Sequence, residues 1–224
     1  MWPNFQGYRT SYASDNALVC ITESLYHLSR QAAWHLRQPK CSVPFWRSVA
    51  AMDKMLVVFT TNEITDLVYI DSNECRLWIA TRLRKVLHPS TILYPDFFYR
   101  PLQETSERYR KERKKGIVYP SSRHLRDWGL ALFGDRTGSF KISACLKMRL
   151  ALTDEATGLL ADDVKFDPFS TPINYAKGYY SIDGADHKSF QHLLTPASLP
   201  QSGYIDLIRR KYSVYPTDAV SAHP

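Results

Sequence analysis

"GIVYPSSRHLRDWGLALF", residues 116–133, is the stretch on which the reading of this chain turns. Ile117, Val118 and Tyr119 form a short apolar run of β-branched and aromatic residues, the composition of a buried strand. Pro120 has no N–H to give a sheet, so the strand stops there. Two serines and an arginine follow, then a loop, then a second apolar run from Leu130 to Phe133. The pattern predicts two strands joined by a serine-rich turn. Pro-Ser-Ser is ordinary turn chemistry. It is also where a hydroxyl that can both donate and accept stands at a strand end, a position from which it can hold a phosphate or an amide.

Working outward, "FKISACLKMRLALT", Phe140 to Thr153, alternates in the manner of one or two further strands. Beyond Thr153 the chain grows richer in Pro, Gly, Asp and Tyr, and ends in a short amphipathic segment, "YIDLIRRKY". This shift suggests a boundary near residue 150, with a domain over 1–149 and an extension over 150–224. Upstream of Gly116, residues 103–114 read as a polar helix. Its "ERYRKERKK" run, Glu107 to Lys115, mixes signs and reads as a solvated face. Residues 75–87 read as a helix with Leu77, Ala80, Leu83 and Leu87 on one stripe, closed by Pro89. Met55 to Thr61 and Leu67 to Asp71 read as strands. Residues 15–37 give the strongest helical pattern, with Leu18, Ile21, Leu25, Leu28, Ala32 and Leu36 on one face. Ser14 or Asp15 is the expected N-cap, and Pro39 ends the element. Glu23 falls away from the apolar stripe, on a face shared with Cys20, His27, Arg30 and Trp34.

The chain has 224 residues, 44% hydrophobic and 23% charged, enough for one core-bearing domain with or without an extension. No apolar run approaches ~18 residues, so no membrane span is expected. The N-terminus has no basic-then-apolar leader pattern, which leads to the expectation of a cytoplasmic protein. Cys20, Cys41, Cys75 and Cys145 form no C-x-x-C pair and stand at no metal-ligand spacing, so neither a zinc site nor a disulfide framework is expected. Lys and Arg total 29 against 22 Asp and Glu, a formal charge of +7 that suits anionic ligands or acidic partners. The G-x-G-x-x-G, Walker, H-E-x-x-H and G-x-S-x-G motifs are missing, which disfavours standard nucleotide-binding, zinc-protease and serine-hydrolase chemistry.

Two segments hold the candidate chemistry: "GYRTSYASDNALVCITESLYH", Gly7 to His27, and "GIVYPSSRH", Gly116 to His124. A carboxylate in the early turns of a helix, off the core face, can steady a ribose hydroxyl or an electron-poor sugar carbon, although such a residue usually faces solvent. Arg123 offers a fork for phosphate. Together the segments resemble the RES-domain family, named for Arg, Glu and Ser. Its pattern is a "YxA" element, a helix carrying Glu, and a later "GIxYpS.R" leading to a strand that ends in "LF". In this sequence the tyrosine is Tyr12, the glutamate Glu23 and the serine Ser121, with Ser122 its adjacent alternative. The likeness covers about residues 2–135. The acidic residue that usually precedes "GI" is Lys115 here, and Arg9 is the only arginine before Tyr12. It stands closer to that tyrosine than the family's first arginine does, so the strand bearing that arginine is expected before Met1, either outside this sequence or lost.

The resemblance implies an α+β fold like that of ADP-ribosyltransferases, a mixed-sheet core with flanking helices gripping NAD. It implies a toxin of a toxin–antitoxin pair that consumes NAD as substrate by hydrolysis or phosphorolysis, or transfers ADP-ribose. Glu23 would stabilise the sugar cation, and Tyr12 would contact the nicotinamide riboside end. Ser121 would hold ribose or phosphate, while Arg9, Ser122 and Arg123 would bind the pyrophosphate. No metal is required. A small helix-turn-helix antitoxin is the implied protein partner, with no direct nucleic-acid partner. The competing readings are a basic RNA-binding or RNA-cleaving protein using residues 107–115, and an inactive RES-like interaction module.

Overall fold

The computed structural model describes residues 10–62, 64–69, 106–121, 127–134, 140–154, 156–170, 177–183 and 200–207. It is an α+β fold, with two four-stranded sheets among the described residues. The chain divides into two units. One comprises residues 1–14, 61–141 and 212–224, the other 15–60 and 142–211.

In the first unit, β1 (Thr10–Ala13), β3 (Leu67–Tyr69), β4 (Gly116–Pro120) and β5 (Trp128–Phe133) form a sheet in the order β1-β5-β4-β3. β5 runs antiparallel to both β1 and β4, and β3 is parallel to β4. The two apolar runs of the 116–133 stretch are therefore neighbours, as expected, with Ile117 opposite Ala131 and Pro120 opposite Trp128. The glycine of "GIVYP" has a steric reason. A Cβ on Gly116 would lie 2.6 Å from the carbonyl oxygen of Ala131, closer than any side chain permits. Ile117, Ala131, Leu132 and Phe133 are buried. Residues 106–111 are helical, inside the expected 103–114. Their solvated face carries the spaced pairs Lys111–Glu107 at 3.4 Å and Arg108–Glu112 at 3.8 Å.

The second unit holds the main apolar cluster. α1 (Ala17–Leu36) realises the expected helix. Ile21, Leu25, Leu28 and Ala32 of its stripe are buried, and Leu18 and Leu36 pack against the cluster. Its N-cap is Asn16, whose side chain accepts from the Leu18 N–H at 2.9 Å, rather than Ser14 or Asp15. The helix stops at Leu36, before Pro39 is reached. A second helix, α2 (Val43–Ala50), follows with Ser42 as N-cap; nothing in the sequence reading anticipated it. Trp46 on α2 donates its indole N–H to the Ala32 carbonyl at 3.2 Å and stacks on Phe166. Arg47 secures the same loop by donating to the carbonyls of Val164 and Phe166.

The sheet beneath these helices has the order β2-β6-β7-β8, from β2 (Ala51–Thr61), β6 (Phe140–Leu152), β7 (Lys177–Asp183) and β8 (Ser202–Asp206). β6 is one long strand and residue 150 lies inside it. Ala144, Leu146, Met148, Leu150 and Leu152 are buried, while Ser143, Cys145 and Lys147 between them face solvent, the alternation of a one-sided sheet. Opposite Leu152 on β7 stands Gly178. A Cβ there would lie 2.8 Å from the Leu25 side chain, so the glycine lets α1 settle onto the strand. β2 begins at Ala51, four residues before the expected strand. "YIDLIRRKY" opens inside β8, which ends at Asp206. The expected helix over 75–87 and the last residues of the 67–71 strand lie outside the described residues.

Candidate functional site

Register decides which side chains of the first sheet share a face. Directly paired residues on neighbouring strands point the same way, and along a strand the direction alternates. Tyr12 pairs with Ala131, which pairs with Ile117. Tyr119, two residues beyond Ile117, pairs with Gly129 and points to the same side. Tyr12 and Tyr119 thus fall on one face of one sheet, and Ser121 follows directly after the last residue of β4. Tyr12 is two strands and four residues away from Ser121. At strand spacings of about 4.8 Å and rises of about 3.3 Å per residue, their backbones stand roughly 16 Å apart. They cannot grip the same atom; they can grip two ends of an extended ligand.

The local construction is specific. Ser121 is 5% exposed, and its backbone N–H donates to the Asp127 carbonyl at 2.8 Å. That bond ties the two ends of the serine turn together immediately beyond the last strand pair. Ser14, at the matching end of β1, donates its hydroxyl to the Trp128 carbonyl at 2.7 Å. The Tyr119 ring lies over Gly129, where a Cβ would come within 2.5 Å of the ring. The tyrosine of "IVYP" and the glycine of "DWGLALF" are therefore one feature. Sequence reading passed over this pair, and Asp127 with it. The available signal was a glycine placed inside an otherwise apolar strand, which marks a close approach.

Tyr12 itself is 72% exposed. Desolvation raises its phenol above the ordinary tyrosine pKa, and a tyrosine is a neutral donor in the physiological range with or without that shift. With so much of the ring in solvent, that displacement carries no weight as a stability contribution.

Glu23 belongs to the second unit, in the second turn of α1. It lies on the face opposite Ile21, Leu25 and Leu28, as its spacing predicts, and it is half-buried there. The same face continues through His27 and Arg30, both half-buried, to the exposed Trp34. Tyr26 and His27 meet edge to face, and Arg30 donates from Nη1 to the Tyr26 hydroxyl at 2.8 Å. Arg9, Ser122 and Arg123 lie outside the described residues.

Among the described residues, Cys20, Cys41 and Cys145 are in no disulfide, and no group of three or more His, Cys, Asp or Glu residues is placed to hold a metal ion. Among the described residues no helix is long and apolar enough to cross a membrane. A family model described as "RES domain" matches residues 3–148. No curated protein and no solved structure matches the chain.

Proposed function

The chain belongs to the RES-domain family, and from that premise we propose that it cleaves the nicotinamide–ribose bond of NAD, passing the ADP-ribosyl group to water, to phosphate or to an acceptor. The observation that carries this reading is the extent of the family match: residues 3–148 contain Tyr12, Glu23 and Ser121 together.

The residue types suit the chemistry. Nicotinamide leaves as a neutral base and leaves positive charge on the anomeric carbon, so the step calls for a fixed carboxylate close to the sugar more than for a strong nucleophile. Glu23 takes that role, stabilising the cation and orienting the attacking oxygen. Tyr12, a neutral hydroxyl on an aromatic ring, contacts the nicotinamide riboside end. Ser121 donates to a ribose or phosphate oxygen. Arg9, Ser122 and Arg123 supply charge and hydroxyls to the pyrophosphate. A NAD-consuming enzyme endangers the cell that makes it, so the protein partner is a small helix-turn-helix antitoxin that blocks its activity.

The test is incubation of the purified chain with NAD, with and without phosphate, with products identified. Release of nicotinamide supports the proposal. ADP-ribose then marks hydrolysis, and its 1″-phosphate marks phosphorolysis. Intact NAD under both conditions refutes it. Expression in cells gives a parallel readout, since growth arrest and NAD depletion are expected without the antitoxin and rescue with it.

A further inference from the structure

The polar face of α1 raises a question that Glu23 alone does not answer. From Asn16 to Met52 Glu23 is the only acidic residue, against Arg30, Arg37, Lys40 and Arg47. Arg47 is engaged with the carbonyls of Val164 and Phe166. Arg30 stands differently. It is seven residues from Glu23, two turns along the same face, or roughly 10 Å. Its Nη1 donates to the Tyr26 hydroxyl at 2.8 Å and its guanidinium carbon sits 5.5 Å from the centre of the Tyr26 ring. Tyr26 thereby fixes the guanidinium over the helix surface, which lowers the entropy lost when its fork engages an anion. One further turn along, Trp34 leaves 58% of its surface in solvent, about 16 Å from Glu23 by helical rise.

Carboxylate, guanidinium and indole thus follow one another along one helix face, in the order of sugar, diphosphate and base along an extended dinucleotide. We propose that this face is a track for the ADP part of the substrate, with Arg30 binding the diphosphate and Trp34 stacking on the base farther from the cleaved bond. The inference rests on the NAD-cleaving reading of Glu23 and adds two residues that the family motifs do not include. The surrounding cations draw the dianionic diphosphate to the helix. Within α1 they leave Glu23 as the one carboxylate, with Asp15 just before the helix at the same end.

Two measurements separate this proposal from the one it rests on. The first is binding of ADP and adenosine by calorimetry, which needs no turnover. Arg30→Gln should weaken ADP about tenfold or more, the value of a charge-assisted pair of hydrogen bonds, and leave adenosine unchanged. Arg30→Lys should restore part of the loss. Trp34→Ala should weaken both. The second is steady-state cleavage of NAD and of nicotinamide mononucleotide. Arg30→Gln should raise KM for NAD with kcat held within about twofold, and Trp34→Ala should raise KM for NAD but not for the mononucleotide, which has no second base. If the wild-type chain cleaves NAD and neither variant alters KM or ADP binding, the track is wrong and the activity stands. Equal losses in kcat on both substrates also overturn it, because they mark a structural role. If ADP binds through Arg30 but NAD is not cleaved, the track stands and the cleavage reading falls. If neither ADP binding nor cleavage is seen, both fall.

Discussion

The two sheets of this protein are built to different specifications. Below α1 and α2, the β2-β6-β7-β8 sheet presents a row of aliphatic side chains, and Trp46, Phe166, Leu25, Leu28, Leu150 and Leu152 are fully buried in one cluster. Its polar features serve the framework: Arg149 reaches Asp53 and Asp162 at 2.9 Å each, and Arg47 secures a loop. In the β1-β5-β4-β3 sheet close approaches fall at glycines, Gly116 against the Ala131 carbonyl and Gly129 beneath the Tyr119 ring, as one falls at Gly178 in the other sheet. Just beyond the strand ends of the β1-β5-β4-β3 sheet stand Ser14 and Ser121, and the Ser14 hydroxyl bonds a main-chain carbonyl. The difference teaches where to look for each kind of effect. Volume changes in the cluster on the β2-β6-β7-β8 sheet should cost stability, and small chemical changes on the β1-β5-β4-β3 sheet or on the polar face of α1 should cost activity.

Trp46→Ala makes the hardest test of that division. Loss of the indole empties the space against Phe166 and the Ala32 carbonyl, and about 3–5 kcal/mol of unfolding free energy should go with it. Activity per folded molecule should stay near wild type, as chemical denaturation run beside a NAD assay will show. A loss of turnover without a loss of stability would break the comparison from the framework side.

Glu23→Gln is its mirror image. Shape and hydrogen bonding survive while the charge goes, so NAD turnover should fall about 10²-fold or more, with the unfolding midpoint unmoved. Turnover equal to wild type would remove Glu23 from the chemistry.

Gly116→Ala falls between the two. The added methyl meets a backbone carbonyl, which cannot step aside as a side chain could, and a cost of about 1–3 kcal/mol is expected. Because β4 leads directly into Ser121, activity should drop further than stability explains. A variant as stable as wild type would mean that the two strands separate more readily than their register implies.

The finest discrimination is between adjacent serines. Ser121→Ala should reduce NAD consumption about tenfold, the value of one hydrogen bond to a charged group, and Ser122→Ala should do less. The opposite ranking in a side-by-side rate measurement would move the family motif by one residue.

What the sequence revealed follows from the range of the forces involved. α1 was legible because an uninterrupted 3.6-residue stripe is a local pattern, yet its cap was misplaced. Ser14, a good capping residue, is occupied by the Trp128 carbonyl from far along the chain, and Asn16 does the capping instead. α2 escaped because "VPFWRSVA" is two turns long, too short for periodicity to show. β2 was read late because Asp53 and Lys54 look like a loop. On an edge strand charged residues are tolerated and useful, and Arg149 on the neighbouring strand reaches Asp53. The family likeness names a candidate site as residue types, Tyr12, Glu23 and Ser121. That Tyr12 and Tyr119 share a face could not be read beforehand, because it depends on the parity of two strand registers, each of which could slip by one.

One feature of the framework sheet bears on how the chain is made. β2 ends at Thr61 and its neighbour β6 does not begin until Phe140. A ribosome adding about 5–20 residues per second needs roughly 4–16 s to cross that interval. Throughout it, the Ile21–Leu25–Leu28 stripe of α1 has been made without β6, β7 and β8 of the sheet it finally rests on. The newborn chain therefore carries its stickiest surface uncovered for seconds, during which chaperones or a waiting partner protein can reach it. A ribosome that pauses between Thr61 and Phe140 lengthens that exposure, so synonymous codon changes confined to this interval should alter the yield of folded protein without altering a single residue.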